Sequence, residues 1–213
     1  MTSPTDNTRE RILNQAERLF ADKGFETVTI REITGAAGSN LAAVNYYFGS
    51  KQQLYLTVFR ERWLRRSRRV NEYFLRQLAD KSRPGISEVV EALARVFLEG
   101  PLDDEERRCH AQLMQRELAS PGPALAMVME EVMQPYQRQL ADLIRPHLPP
   151  DTDEERLRLC LLGILGMTLY FAFARPAVTM VTGREYTPRF KNRLIEHITG
   201  FAVSGLDFLA AEQ

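Results

Sequence analysis

The chain has 213 residues, in which 28 Lys+Arg are balanced by 28 Asp+Glu, with three His. A composition that is 44% hydrophobic and 26% charged belongs to a folded globular protein and excludes a disordered or collagen-like one. Zero net charge excludes a generally basic nucleic-acid coat, so any DNA-binding surface must be local.

The first residues are polar, without the basic-then-apolar pattern of a secretory leader, so no signal peptide is expected. Ile12, Ala16, Leu19 and Phe20 then recur at helical spacing and predict an amphipathic helix, capped by Asn7 with Glu10 and ended by Gly24. Thr29-Ile30-Arg31-Glu32 reads as a capping box that opens a short helix with Ile30, Ile33 and Ala37 on one side. Gly38 ends it, and Asn40 caps a second short helix over 41–48. Ser50-Lys51-Gln52-Gln53 forms a further box, starting a long helix with Leu54, Val58, Val70, Phe74 and Leu78 inward.

After a break at 81–85, longer helices are predicted over 86–99, 105–118, 124–147, 154–174 and 189–209. Pro135 should kink the third of these, and 175–187 reads as a loop. No alternating strand appears, so the fold class expected is all-α. The uncharged run 159–174 is short for a membrane span and holds Gly163, Gly166 and Thr168, which favours a core or interface helix. Cys109 and Cys160 have neither zinc-site nor disulfide-framework spacing and suit a reducing cytoplasm. His110, His147 and His197 are too scattered to suggest a metal site, and no catalytic or cofactor motif is found.

The two short helices and their glycine-containing turn, 29–48, match a helix-turn-helix, whose second helix enters the major groove of DNA. Over 40–48, small Ala42 and Ala43 allow close approach to the bases, and Asn45 suits an adenine edge. Tyr46 and Tyr47 offer hydroxyls to phosphates, while Val44 and Phe48 hold the helix against Ile33 and Leu19. Lys51, in the first turn of the next helix, and Thr29, at the start of another, are expected to clamp phosphates on either side. The candidate DNA-binding set is therefore Thr29, Asn40, Leu41, Ala42, Ala43, Asn45, Tyr46, Tyr47 and Lys51. The arginines between Arg60 and Arg69 climb away from the groove and go round their helix, so they read as a solvated face with inter-helix ion pairs, Arg60 alone being near enough to be a candidate for a flanking phosphate.

Three segments, Thr29–Ile33, Ala36–Asn40 and Asn45–Tyr55, together resemble the DNA-binding signature of the TetR family of bacterial repressors. The version with Ala43 and Asn45, where many members carry Thr and Tyr, is similar to a subgroup of CecR-like regulators, as is 112–121 further on. The resemblance implies an all-α homodimer with a helix-turn-helix domain at 1–55 and an effector-binding and dimerisation domain at 56–213. Its expected partners are a palindromic double-stranded DNA operator and a small-molecule effector, with no membrane and no cofactor.

Trp63, Phe97, His110, Met114, Glu117, Met127 and Met133 are candidates to line the effector cavity, methionine suiting varied apolar ligands and Glu117 or His110 serving as polar anchor. Plain core packing accounts for the same residues. Gly163, Gly166, Ile195, Ile198, Ala202, Gly205 and Leu209 on the last two helices are candidates for a two-fold four-helix interface. Two other functions stay open on the residues alone: an all-α enzyme, and a helical adaptor that uses the hairpin on protein. Salt dependence of DNA binding separates both from a repressor.

Overall fold

The computed structural model describes residues 4–211, with side chains described over 7–206. Among the described residues every regular element is helical, and the chain packs as two compact units. One comprises residues up to Arg68 together with Leu102–Val132; the other comprises Arg69–Pro101 and the chain from Met133 onward. Packing thus draws its boundary differently from the expected division at 55/56, since the segment 102–132 goes with the N-terminal helices.

The first unit holds α1 (Pro4–Lys23), α2 (Ile30–Ala36), α3 (Leu41–Phe48) and α4 (Lys51–Val58). A π-helical turn, Phe59–Trp63, joins α4 to α5 (Leu64–Leu78), and α7 (Asp104–Ala119) packs along α1. The helix α1 begins at Pro4, not beyond Asn7 as the cap predicted: proline at a helix start has its φ preset and no N–H to leave unpaired. The short helices are set by local chemistry. Thr29, Asn40 and Ser50 each accept a backbone N–H three residues on, and Gly38 and Gly49 take positive φ where the chain turns back. Ile12, Leu13, Ala16 and Phe20 of α1 are buried with Ile33, Val44, Leu54 and Val58, so one apolar stripe organises three short helices that cannot bury themselves.

Charge pairs brace this unit from α1 outward. Arg62 reaches Glu10, Arg66 reaches Glu17, and Arg9 grips Glu61 through two nitrogens. Arg62 and Arg66 therefore face α1, and Arg66 is buried, whereas Arg60, Arg65 and Arg68 are solvated as expected. On the other side Arg18 pairs with Glu105 at 3.3 Å, and Arg108 with Asp22, tying α7 to α1.

In the second unit α6 (Ile86–Glu99) is the central helix, packed by α9 (Gln134–Ile144), α10 (Glu154–Phe173) and α12 (Pro188–Ala211). Seven residues of α6 are buried, including Val89, Leu93 and Val96. The predicted helix 124–147 is instead α8 (Leu125–Val128), a π-turn at Met129–Met133, α9, and a closing 3₁₀ turn at Arg145–His147. The π-turn lies just before Pro135, which lacks an N–H and crowds the carbonyl four residues back; wider winding absorbs both. The predicted loop 175–187 contains a helix, α11 (Arg175–Thr182). Pro176 lies at its first turn, where proline starts helices, and Gly183 ends it at φ 62°.

Candidate nucleic-acid interface

Helix α3 divides cleanly into two faces. Val44 and Phe48 are buried beneath it, as expected, and fix its roll on the unit. Leu41, Ala42, Asn45 and Tyr46 share the opposite face at i, i+1, i+4 and i+5, with Leu41 54% and Tyr46 81% exposed. Ala43 and Tyr47 are half-buried at the edge of that face, and the rings of Tyr46 and Tyr47 meet edge-on at 5.0 Å. No other element of the unit covers Leu41 or Tyr46, so this face of the eight-residue helix is open to solvent.

The groups flanking α3 are more committed than the sequence suggested. Asn40 spends its amide oxygen on the N–H of Ala43 at 2.9 Å, leaving its NH₂ outward. The Thr29 hydroxyl donates to Glu32 at 3.0 Å and accepts the Glu32 N–H at 3.2 Å, so its first role is the cap itself. The backbone N–H and hydroxyl of Thr29, with Lys23, hold the Glu32 carboxyl down at about 2. Lys51 donates to the Glu26 carbonyl at 3.2 Å and lies 4.6 Å from the centre of the Phe25 ring. An ammonium has three donors, so two remain for a phosphate.

The residues considered for an effector cavity are divided between the units. Trp63, His110, Met114, Glu117 and Met127 belong to the first, Phe97 and Met133 to the second. Trp63 is buried, stacks on His110 at 4.5 Å and 8°, and donates its indole N–H to the His110 carbonyl at 3.0 Å. Burial, with Arg66 adding to it, pushes His110 down to about 3, so it is a neutral interior ring. Glu117 is not a free anchor: one carboxylate oxygen takes the Tyr55 hydroxyl at 2.6 Å and the other the Gly122 N–H at 3.1 Å. Met114 is buried in α7, Met127 and Met133 are half-buried, and Phe97 packs on the apolar core of the second unit.

Sequence reasoning missed the unanswered polar groups of that second core. The Tyr136 hydroxyl and both amide atoms of Gln137 are buried without a hydrogen-bond partner, and the Tyr136 ring lies 5.8 Å from that of Phe74. An amphipathic pattern does not distinguish a tyrosine or glutamine that snorkels to water from one that is sealed in.

The last helices correct the interface set. Ile195, Ile198 and Ala202 are buried against α6 inside their own unit and cannot meet a partner. Gly163 and Gly166 of α10 and Gly205 of α12 do face outward, and a Cβ built on any of them would meet nothing within 4 Å. Around them stand Leu159, Leu162 and Tyr170 of α10 and Phe201 of α12, each more than half exposed. The side chain of Leu209 lies outside the described residues. By length and composition α10 is also apolar enough to cross a membrane, but Leu157, Leu161, Ile164, Leu165 and Ala172 make its inner stripe part of the protein core.

Comparison with known proteins covers both halves. A family model described as bacterial regulatory proteins, tetR family, matches residues 12–58. A second, described as the C-terminal domain of the HTH-type transcriptional dual regulator CecR, matches residues 86–206. The chain is 27% identical over 202 residues to the CecR regulator of Shigella flexneri, covering 92% of this chain and 89% of that one. It is 38% identical over 66 residues to the repressor AcnR of Corynebacterium efficiens, covering 31% and 35% of the two chains. In fold it is similar to the fatty acid degradation regulator FadR of Bacillus halodurans, at TM-score 0.63 and 18% identity, covering 97% and 98% of the two chains.

Proposed function

Since the chain belongs to the TetR family of DNA-binding transcriptional regulators, with a CecR-type C-terminal domain, we propose that it is a dimeric repressor that reads a palindromic operator through α3. Regulators of this family are not enzymes. The observation that carries the proposal is the outward face of α3, where Leu41, Ala42, Asn45 and Tyr46 project while Val44 and Phe48 fix the roll. Thr29, Asn40, Tyr47 and Lys51 flank it as phosphate contacts, with the helix N-termini contributing backbone N–H groups. The protein acts where the chromosome is, in the cytoplasm.

Selection from a random-sequence duplex pool, followed by salt titration on the best duplex, tests this reading. The cations that flank α3 most closely in the sequence are Arg31 and Lys51. A dimer that uses both in each head gives a slope of log K on log salt of about −3.6. An enriched palindrome with a slope of that order supports the reading. Salt-insensitive retention without enrichment overturns it and favours the protein-binding adaptor.

The partner we infer for α10 and α12 is a second copy of the chain. Mid-helix glycines at 163, 166, 200 and 205 face open space, and each costs roughly 1 kcal/mol relative to alanine. Nothing within the protomer requires them to be small. Close approach of a two-fold related helix does, and Leu159, Leu162, Tyr170 and Phe201 supply apolar area beside it. Gly166→Arg then yields a folded monomer by light scattering; an intact dimer removes this face from the interface.

The effector is a small molecule held in the C-terminal domain, and its binding releases the operator. Support for a ligand in that domain comes from the Tyr136 hydroxyl and Gln137 amide, interior hydrogen-bonding groups with no answer inside the chain. Release requires that the ligand prefer the non-binding state; a hundredfold preference corresponds to about 2.7 kcal/mol of coupling.

A further inference from the structure

The chemistry of α3's outward face specifies more than that DNA is bound. From Gly38 to Ser50 the chain carries no charged residue, and the face itself offers a branched apolar side chain, a methyl, one carboxamide and one phenol. The nearest cations in sequence lie off this helix. Arg31 is on α2, and Lys51 opens α4 with its ammonium turned to the Glu26 carbonyl and the Phe25 ring.

Guanine presents two acceptors, O6 and N7, to the major groove, and the side chain that matches them is a two-donor cation. Helix α3 has none. Adenine presents a donor beside an acceptor, which a carboxamide matches, and Asn45 is the carboxamide in the middle of the face. Thymine adds a methyl, which an exposed Leu41 and Ala42 can cover. Resting on the placement of α3 in the major groove proposed above, we infer that each half-site is read at A·T pairs. Thymine methyls pack on Leu41 and Ala42, an adenine edge pairs with Asn45, and guanine is not read from the major groove.

Base analogues test this with the full-length protein and the best duplex from the random pool. Deoxyuridine in place of thymidine removes only the methyl; 7-deazaguanine in place of guanine removes only the N7 acceptor. Each critical methyl lost should weaken binding about four-fold, and its symmetric pair about fifteen-fold. The 7-deazaguanine substitutions should change affinity less than about two-fold. Leu41→Ala, at an exposed position whose loss leaves the fold intact by circular dichroism, should reduce the deoxyuridine penalty at one position per half-site to near unity.

Affinity that survives every deoxyuridine substitution but falls about ten-fold or more with 7-deazaguanine overturns the inference while leaving the repressor reading in place. A deoxyuridine penalty that Leu41→Ala does not relieve overturns the assignment to Leu41. A pool that yields no enriched duplex overturns the DNA-reading proposal, and this inference with it.

Discussion

The two units satisfy their interior polar groups differently. Around α1, buried charge meets buried charge: Glu17 and Arg66 are 5% and 9% exposed and joined through two nitrogens. The Tyr55 hydroxyl and the Trp63 indole find acceptors on α7, and the exceptions there are Ser39 Oγ and His110 Nδ1. Around α6 the core is aliphatic and aromatic, yet Tyr136, Gln137 and Thr199 keep buried polar atoms unanswered. Helices α10 and α12 of this unit also turn glycines and large apolar side chains outward. The first unit answers its largest buried polar groups, the Glu17–Arg66 pair, Tyr55 and Trp63, from within. A unit that leaves them open, and leaves apolar faces uncovered, has the surface chemistry of one completed by other molecules.

The strongest test of that contrast removes one member of the buried pair. Glu17→Ala leaves the Arg66 guanidinium without its closest partner, with Glu106 at 3.6 Å the nearest remaining carboxylate. The expected loss is about 3–5 kcal/mol by urea denaturation. The double variant Glu17→Met with Arg66→Leu should recover most of it, because an apolar pair of similar volume carries no desolvation cost. Recovery shows that the pair adds no net stability over an apolar pair of the same volume. A loss below about 1 kcal/mol in the single variant would mean the first unit is not braced through this pair.

A pH series probes the exception at His110. Its folded form resists protonation down to about 3, while an ordinary histidine takes a proton near 6.5. The unfolded chain therefore binds the extra proton between those values, and stability falls as pH drops through that window. The expected loss attributable to this ring is about 2 kcal/mol between pH 7.5 and pH 5. His110→Phe keeps an aromatic ring against Trp63 and should lack that component. Parallel pH profiles for the two proteins would place the ring in solvent.

What the sequence made legible follows the same contrast. Thr29, Asn40 and Ser50 announce helix starts because capping acts over three residues, and all three caps are present. Val44 and Phe48 were recognisable as the buried side of α3 because helical periodicity is local as well. In the second unit the decisive contacts are distant in sequence. Ile195, Ile198 and Ala202 form the stripe expected of an interface, but α6, about a hundred residues earlier, covers that stripe first. Periodicity shows that a face is apolar and not what covers it. The expected loop 175–187 holds a helix because Pro176 and Gly183 serve equally in a loop or at a helix end. Glu117 looked available as a ligand anchor because nothing in its neighbourhood of sequence reveals that Tyr55 claims it.

The finest test makes one chemical edit in both units. Tyr55→Phe removes a hydroxyl that donates to the Glu117 carboxylate at 2.6 Å, leaving a buried oxygen unanswered, and should cost about 1.5 kcal/mol. Tyr136→Phe removes a hydroxyl that is buried and donates to nothing, so the folded protein loses no hydrogen bond while the unfolded chain loses a hydrated group; the expected gain is about 1 kcal/mol. The two substitutions delete the same atom, so their helix propensities and changes in volume are alike, and the sign difference reports the polar surroundings alone. Gln137→Met, close in shape to the amide it replaces, should gain in the same direction. If Tyr136→Phe costs stability as Tyr55→Phe does, an ordered water already completes the second unit's interior, and the contrast between the units reduces to the exposed faces of α10 and α12. If it gains, the hydroxyl is retained at the expense of the fold, as a group kept for a ligand would be.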